Sequence, residues 1–334
     1  MIVPRYWAEA KLVQQVRGRS CTVRRFGWSD RDAADAQAHA QARAEEAMAR
    51  ILAGETLPRR ERRVGYGGAE GVPIREEIVE AEGDIVVTRN SYGALCLNTP
   101  DVLFADMDCP PFEPDRRWAW RALLLSTAIL TALAMLLGSI RIAPAAVVGF
   151  LVSCAWLGAY GKWVADPREA READARAQAW QHDAMLRIRR FAQAHPDWHL
   201  RIYRTPAGLR VLVLHATFDP DAPAVEAFFS ALQVDPVFAR MCRHQRCFRA
   251  RISPKPWRVG VERMPAPSCA AWRPEYAALP QRVAWIHRYD QAASGYASCR
   301  FVEALGTEIE SDAAAQVRRM HDLFCRADIE LPLA

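Results

Sequence analysis

Two charge-free apolar runs in the middle of the chain, Ala122 to Gly138 and Ile142 to Gly161, constrain its fold more than any other feature. Each is close to the length that crosses a ~30 Å hydrocarbon core, the first only marginally. Gly138-Ser139-Ile140-Arg141 separates them, and Pro144 falls in the first turn of the second run, where proline is tolerated. Trp118, Trp120, Trp156, Tyr160 and Trp163 crowd the ends as an aromatic belt would. Arg116, Arg117 and Arg121 flank one outer end, Lys162 and Arg168 the other, and the turn holds only Arg141. By the positive-inside rule both long flanks face the cytoplasm. The expectation is a transmembrane helical hairpin over 114–165. It implies a lipid bilayer as partner and a bacterial-type inner membrane, multi-pass, with both termini cytoplasmic. The alternative is a helical hairpin buried in a soluble core.

The remaining sequence reads as one α+β body that the hairpin interrupts, because strand signals occur on both sides of it. The divisions are 1–113 and 198–334 for the two parts of a cytosolic α+β domain, 114–165 for the hairpin and 166–197 for a connecting helix. With 334 residues the chain can bury a sizeable core. Nine scattered cysteines suggest no disulfide framework and point to reduced thiols. The opening Met-Ile-Val-Pro-Arg-Tyr-Trp lacks the plan of a signal peptide. A net charge of +5, mostly arginine, suits an anionic partner without naming one.

Expected elements are a strand over 20–28, an Ala-rich helix capped near Ser29 and stopped at Gly54, and loop over 55–83. Beyond these come a strand at 85–88, a turn near Asn90 and a strand ending at Asp108. After the hairpin, a long helix runs to about Ala194. Strands over 199–204 and 209–215 flank the turn Thr205-Pro206-Ala207-Gly208. A helix over 221–234, a strand at 248–252, a strand at 299–304 and a helix over 312–325 follow. The Pro-, Trp- and Arg-rich stretch 254–295 is left unplaced.

Chemistry concentrates first at Val102-Leu103-Phe104-Ala105-Asp106-Met107-Asp108. Alternation along a strand puts Asp106 and Asp108 on one face. Two adjacent carboxylates repel unless a cation sits between them, and oxygen ligands select Mg²⁺ or Mn²⁺. The plain alternative is a strand that exits into solvent. Three downstream pieces could complete a site. Gly208-Leu209-Arg210 could bring backbone amides and a guanidinium to a phosphate, or be an ordinary hairpin. Asp235, just past a helix, could be a third carboxylate or the cap of the next helix. The tract from Arg240 to Lys255 holds Arg246, Arg249, Arg251 and Lys255, with Phe248 among them. It suits triphosphate or a nucleic-acid backbone, or forms a solvated basic face. Cys242-x-His244-x-x-Cys247 offers three metal ligands but no fourth.

In this order the pieces resemble the archaeo-eukaryotic primase (primase-polymerase) superfamily. That pattern has a strand ending in acid-x-acid, a small-x-His motif on a later strand, and a third acid followed by a basic tract. Asp106 and Asp108 match the first motif, Gly208-Leu209-Arg210 falls at the second, and Asp235 with Gln245-Arg246-Cys247-Phe248-Arg249 and Lys255 resembles the third. The resemblance implies a primase-like mixed or antiparallel sheet with flanking helices and two-metal nucleotidyl transfer. Asp106, Asp108 and Asp235 would be catalytic and hold metal. Gly208, Arg210, Arg246, Arg249, Arg251 and Lys255 would hold phosphates. Arg210 stands where the family has histidine, which alters the expected triphosphate contact and leaves open an inactive relative. A metal-dependent D-x-D glycosyltransferase is the rival enzyme, although the strands it needs before the D-x-D are few. A membrane-tethered adaptor or sensor that binds a nucleotide or a protein is the non-enzymatic rival.

Overall fold

The structure, a computed structural model, describes residues 4–16, 19–61, 71–113, 117–136, 142–160, 166–267 and 272–334. Residues 62–70 of the expected loop, the turn at Gly138–Arg141, and Cys269 lie outside the described residues. The chain divides into two units, Met1–Asp108 with Leu186–Ala334, and Cys109–Met185.

The first unit opens on a hairpin that sequence patterning shows only in half. β1 (Tyr6–Val16) pairs antiparallel with β2 (Arg19–Ser29) along its whole length. α1 (Ala33–Leu52) lies on this hairpin through a seam of alanines, with Ala36, Ala40 and Ala44 fully buried. So small a side chain lets helix and strand backbones approach closely. The cap is Asp32, whose side chain accepts from the Asp35 N–H, while the expected Ser29 instead bonds the Asp35 carboxylate. Gly54 ends the turn in the left-handed region, as expected.

Two four-stranded antiparallel sheets follow. One has the order β3 (Glu77–Glu82), β4 (Ile85–Arg89), β5 (Leu95–Thr99), β9 (Phe248–Arg251). The other runs β10 (Arg300–Gly306), β7 (His199–Thr205), β8 (Gly208–Val213), β6 (Phe104–Asp108). Thus β3 occupies part of what reads as loop, and the run before the aspartates splits into β5 and β6. Edge strands β6 and β9 touch. α5 (Pro223–Leu232) buries Val225, Phe228, Phe229 and Leu232, the predicted face. α6 (Pro236–Gln245) follows directly. α8 (Asp312–Cys325) matches its expected bounds. The unplaced stretch contains two short 3-10 turns and α7 (Pro280–Ala293), whose Trp285 and Tyr289 stack at 5.0 Å and are buried with Met264.

In the second unit, α2 (Arg117–Leu136) and α3 (Ile142–Tyr160) pack on each other. A Cβ at Gly149 would meet Leu130 and the Thr127 carbonyl at 3.3 Å, so the backbones come close there. α4 (Asp166–Ala194) continues from this unit into the first. Among the described residues no helix is long and apolar enough to cross a membrane. This corrects the expected transmembrane hairpin and the multi-pass inner-membrane placement with cytoplasmic termini. Within the described residues the charge-free part of α2, which begins after Arg121, spans about 22 Å at ~1.5 Å per residue, short of a ~30 Å core.

Candidate functional site

Register builds the site. Alternation along β6 puts Phe104, Asp106 and Asp108 on the face opposite Ala105 and Met107, with Phe104 buried, Asp106 half-buried and Asp108 exposed. β8 pairs antiparallel with β6, so Asp106 stands opposite Arg210 and Asp108 opposite Gly208. Arg210 is 1 % exposed. Its Nε and Nη2 donate to the two Asp106 oxygens at 2.6 and 2.9 Å, a bidentate pair. Its Nη1 donates to the Arg251 carbonyl on β9 at 2.8 Å and meets His321 Nε2 at 3.1 Å. One buried guanidinium therefore ties the two sheets together beneath the carboxylates.

Asp106, Asp108 and Asp235 line a single small cavity of about 50 Å³ with Thr205, Arg210, Phe238 and Arg251. A water needs roughly 10–15 Å³ of such space, so an ion with a few waters fits. Asp235 keeps the structural role weighed for it as well: its side chain accepts from the Val237 N–H at 2.8 Å and caps α6. A second cavity of about 210 Å³ shares Asp106, Phe238 and Arg251 with the first and is lined further by Ile74, Tyr92 and Met241.

The electrostatics follow from this crowding. Asp108 is exposed at the end of β6, yet partial loss of water around its carboxyl, and Asp106 beside it, push its pKa above the usual carboxylate range. Burial works against the Arg210 charge, but Asp106 outweighs it and keeps the guanidinium protonated. Arg251 behaves likewise, burial being outweighed chiefly by Tyr92. Burial, and then Arg251 and Arg258, push the Lys255 amine down.

The expected phosphate ligands separate. Arg251 lines both cavities, and Lys255 lies near enough to Asp108 to act on its charge. Arg249 lines the larger cavity but is committed to Glu76 at 2.6 Å and Asn98 at 3.1 Å. Arg246 is exposed, ends α6 in the left-handed region and lines neither cavity. The Gly208 N–H donates to Thr205 Oγ1 at 3.0 Å and so has a partner within its own turn. Cys242 and Cys247 are buried while His244 is exposed, and they form no cluster of metal ligands. The three aspartates do not form a tight cage either. Among the described residues the one group of three or more Cys, His, Asp or Glu with ligand atoms within 4.8 Å is Cys299, His321 and Cys325. Sequence reasoning missed Tyr92, Thr205 and His321. Tyr92 sits in a turn and Thr205 at the end of β7, neither within a chemical motif, and His321 reveals itself only through Arg210, 111 residues away.

No known protein family, curated protein or solved structure matches the chain.

Proposed function

We propose that the first unit binds a nucleotide through its phosphates, with a divalent cation held by carboxylates, in the cleft where β6 meets β9. The observation that carries this reading is the convergence of Asp106, Asp108 and Asp235 with Arg210 and Arg251 on one cavity, from three strands and a helix cap. The donor set fits Mg²⁺ or Mn²⁺: it is all oxygen, and a cation beside Asp106 and Asp108 offsets both the loss of water and the repulsion that raise the Asp108 pKa. The bidentate pair with Arg210 leaves the Asp106 oxygens further lone pairs. Arg251 and the α6 N-terminus supply positive potential for phosphate. The adjoining larger cavity, with Tyr92, Phe238 and Met241, offers an apolar wall for a base.

The primase-like resemblance makes nucleotidyl transfer the reaction such a cation would support, by stabilising charge on the transferred phosphoryl group. One observation favours binding without transfer: the buried Arg210 already neutralises Asp106, where the resembled family has a histidine. The test is binding of labelled nucleoside triphosphate with Mn²⁺, Mg²⁺ or chelator, followed by primer extension. Cation-dependent binding lost in Asp108→Ala supports the reading. Binding that ignores both chelator and the substitution removes these acids from it. Hydrolysis of a nucleotide sugar would favour the glycosyltransferase instead.

A further inference from the structure

Behind Arg210, on the side away from the cleft, lies a cluster that the nucleotide reading does not use. His321 and Cys325 are one turn apart on α8, so their side chains share a face. Cys299 directly precedes β10 and is pinned beside them, because the Ser298 N–H donates to the Cys325 carbonyl at 3.0 Å and the Phe301 N–H to the Ala327 carbonyl at 3.0 Å. All three side chains are fully buried. Cys299 Sγ and His321 Nε2 are 3.8 Å apart, and the three ligand atoms lie within 4.8 Å of one another. Bond lengths of ~2.3 Å to sulfur and ~2.0 Å to nitrogen place such atoms about 3.5 Å apart around a tetrahedral zinc.

The ring's other nitrogen makes the case more specific. His321 Nδ1 faces Asp322 Oδ1 at 2.9 Å, and Asp322 is itself fixed by Arg201 at 2.9 Å. With the proton on Nδ1, Nε2 presents its lone pair toward Cys299. A carboxylate that orients a histidine in this way is the usual outer support of a zinc ligand. Phe104 and Tyr203 pack against the ring at 5.3 and 4.6 Å, which further limits its rotation.

We infer that Cys299, His321 and Cys325 form a binding site for a thiolate-seeking divalent ion of the Zn²⁺ class. On binding, the two thiols each release a proton to solvent, the sulfur lone pairs and the Nε2 lone pair bond the metal, and one water carried in with the ion completes the tetrahedron. Arg210 Nη1, now 3.1 Å from Nε2, gives up that contact and keeps its bonds to Asp106 and the Arg251 carbonyl. The site is independent of whether the cleft takes a nucleotide.

The test is a titration of the reduced, metal-free full chain with Co²⁺ and then Zn²⁺, without nucleotide. One equivalent of Co²⁺ should give thiolate-to-cobalt charge-transfer bands and intense tetrahedral d–d bands, both bleached by Zn²⁺. Carboxylate-bound Co²⁺ in the cleft gives no charge-transfer band, so the two sites are separable. Cys299→Ser and Cys325→Ser should lose the bands, and Cys242→Ser, at a buried thiol outside the cluster, should keep them. Asp322→Asn retains every ligand and should weaken Zn²⁺ affinity on the order of 10-fold. Because a buried cysteine variant can fail to fold, the wild-type titration decides by itself. No charge-transfer band at stoichiometric Co²⁺ overturns the inference, as do bands that survive in folded Cys299→Ser.

Discussion

Arg210 makes four polar contacts from full burial, with Asp106 twice, the Arg251 carbonyl and His321. Breaking a buried pair by removing one partner costs about 3–5 kcal/mol, because the other charge stays behind unpaired. Asp106 is part-exposed, so Arg210→Met should cost about 3 kcal/mol, nearer the lower end, by urea unfolding. The double variant with Asp106→Asn should recover part of that loss. A single-variant cost under about 1 kcal/mol would mean that water already stabilises Asp106. Asp108 gives a prediction of opposite character. Its pKa is raised on folding, so the folded chain holds that proton to higher pH than the unfolded chain does. Stability of the metal-free protein should therefore fall as pH rises from the ordinary carboxylate range through the raised Asp108 pKa. Asp108→Asn should flatten the slope, and Mn²⁺ should reverse it in the wild type. A slope that is unchanged in the variant would assign it to another group.

The pairing of β6 with β8 shows how far sequence reached and where it stopped. Alternation in Phe104–Asp108 and the turn at Thr205–Gly208 were legible because each depends on residues close in the chain. That Asp106 would face Arg210 was not, since strand pairing across 104 residues depends on the sheet as a whole. The aspartates and Arg251, singled out by their chemistry, line one cavity. Arg246 misled because its place in a basic run says nothing of the helix end that turns it outward. β1 was missed because its outer face mixes Trp7 and Val13 with Glu9, Lys11 and Gln15, and its inner face offers the core only Ala8, Ala10 and Leu12. That hairpin carries its own prediction. A Cβ at Gly27 would lie 2.2 Å from both the Ala36 carbonyl and the Ala40 nitrogen, backbone atoms of α1. Gly27→Ala should force α1 away from β2 and cost about 2–3 kcal/mol in thermal or urea unfolding, an overpacking penalty at its upper range. Gly295→Ala, in a turn of the same unit with open space around it, is the control and should change stability by less than about 0.5 kcal/mol. Equal effects at the two positions would mean that the helix shifts freely.

The chain separates along lines that composition announces and chemistry does not. Apolar richness over 118–161 marked two packed helices, but hydropathy averages over residues, and among the described residues no helix is long and apolar enough to cross a membrane. Every residue of the proposed cleft and of the Cys299–His321–Cys325 cluster belongs to the unit formed by Met1–Asp108 and Leu186–Ala334. Both edges of the cleft are built there: β6 ends at Asp108, immediately before the second unit, and β8 and β9 follow its return. If the first unit holds its own core, the second acts on it as an insertion, and long insertions cost little in chain entropy. Residues 109–185 replaced by a Gly/Ser linker of about 30 residues, with a root-mean-square reach of about 30 Å, should then leave the first unit folded. Expected outcomes are a cooperative thermal transition, Mn²⁺-dependent nucleotide binding within about threefold of the full chain, and an unchanged Co²⁺ spectrum. A chain that no longer unfolds cooperatively would instead make the hairpin part of the folding unit, with the first 108 residues and the last 149 unable to assemble without it.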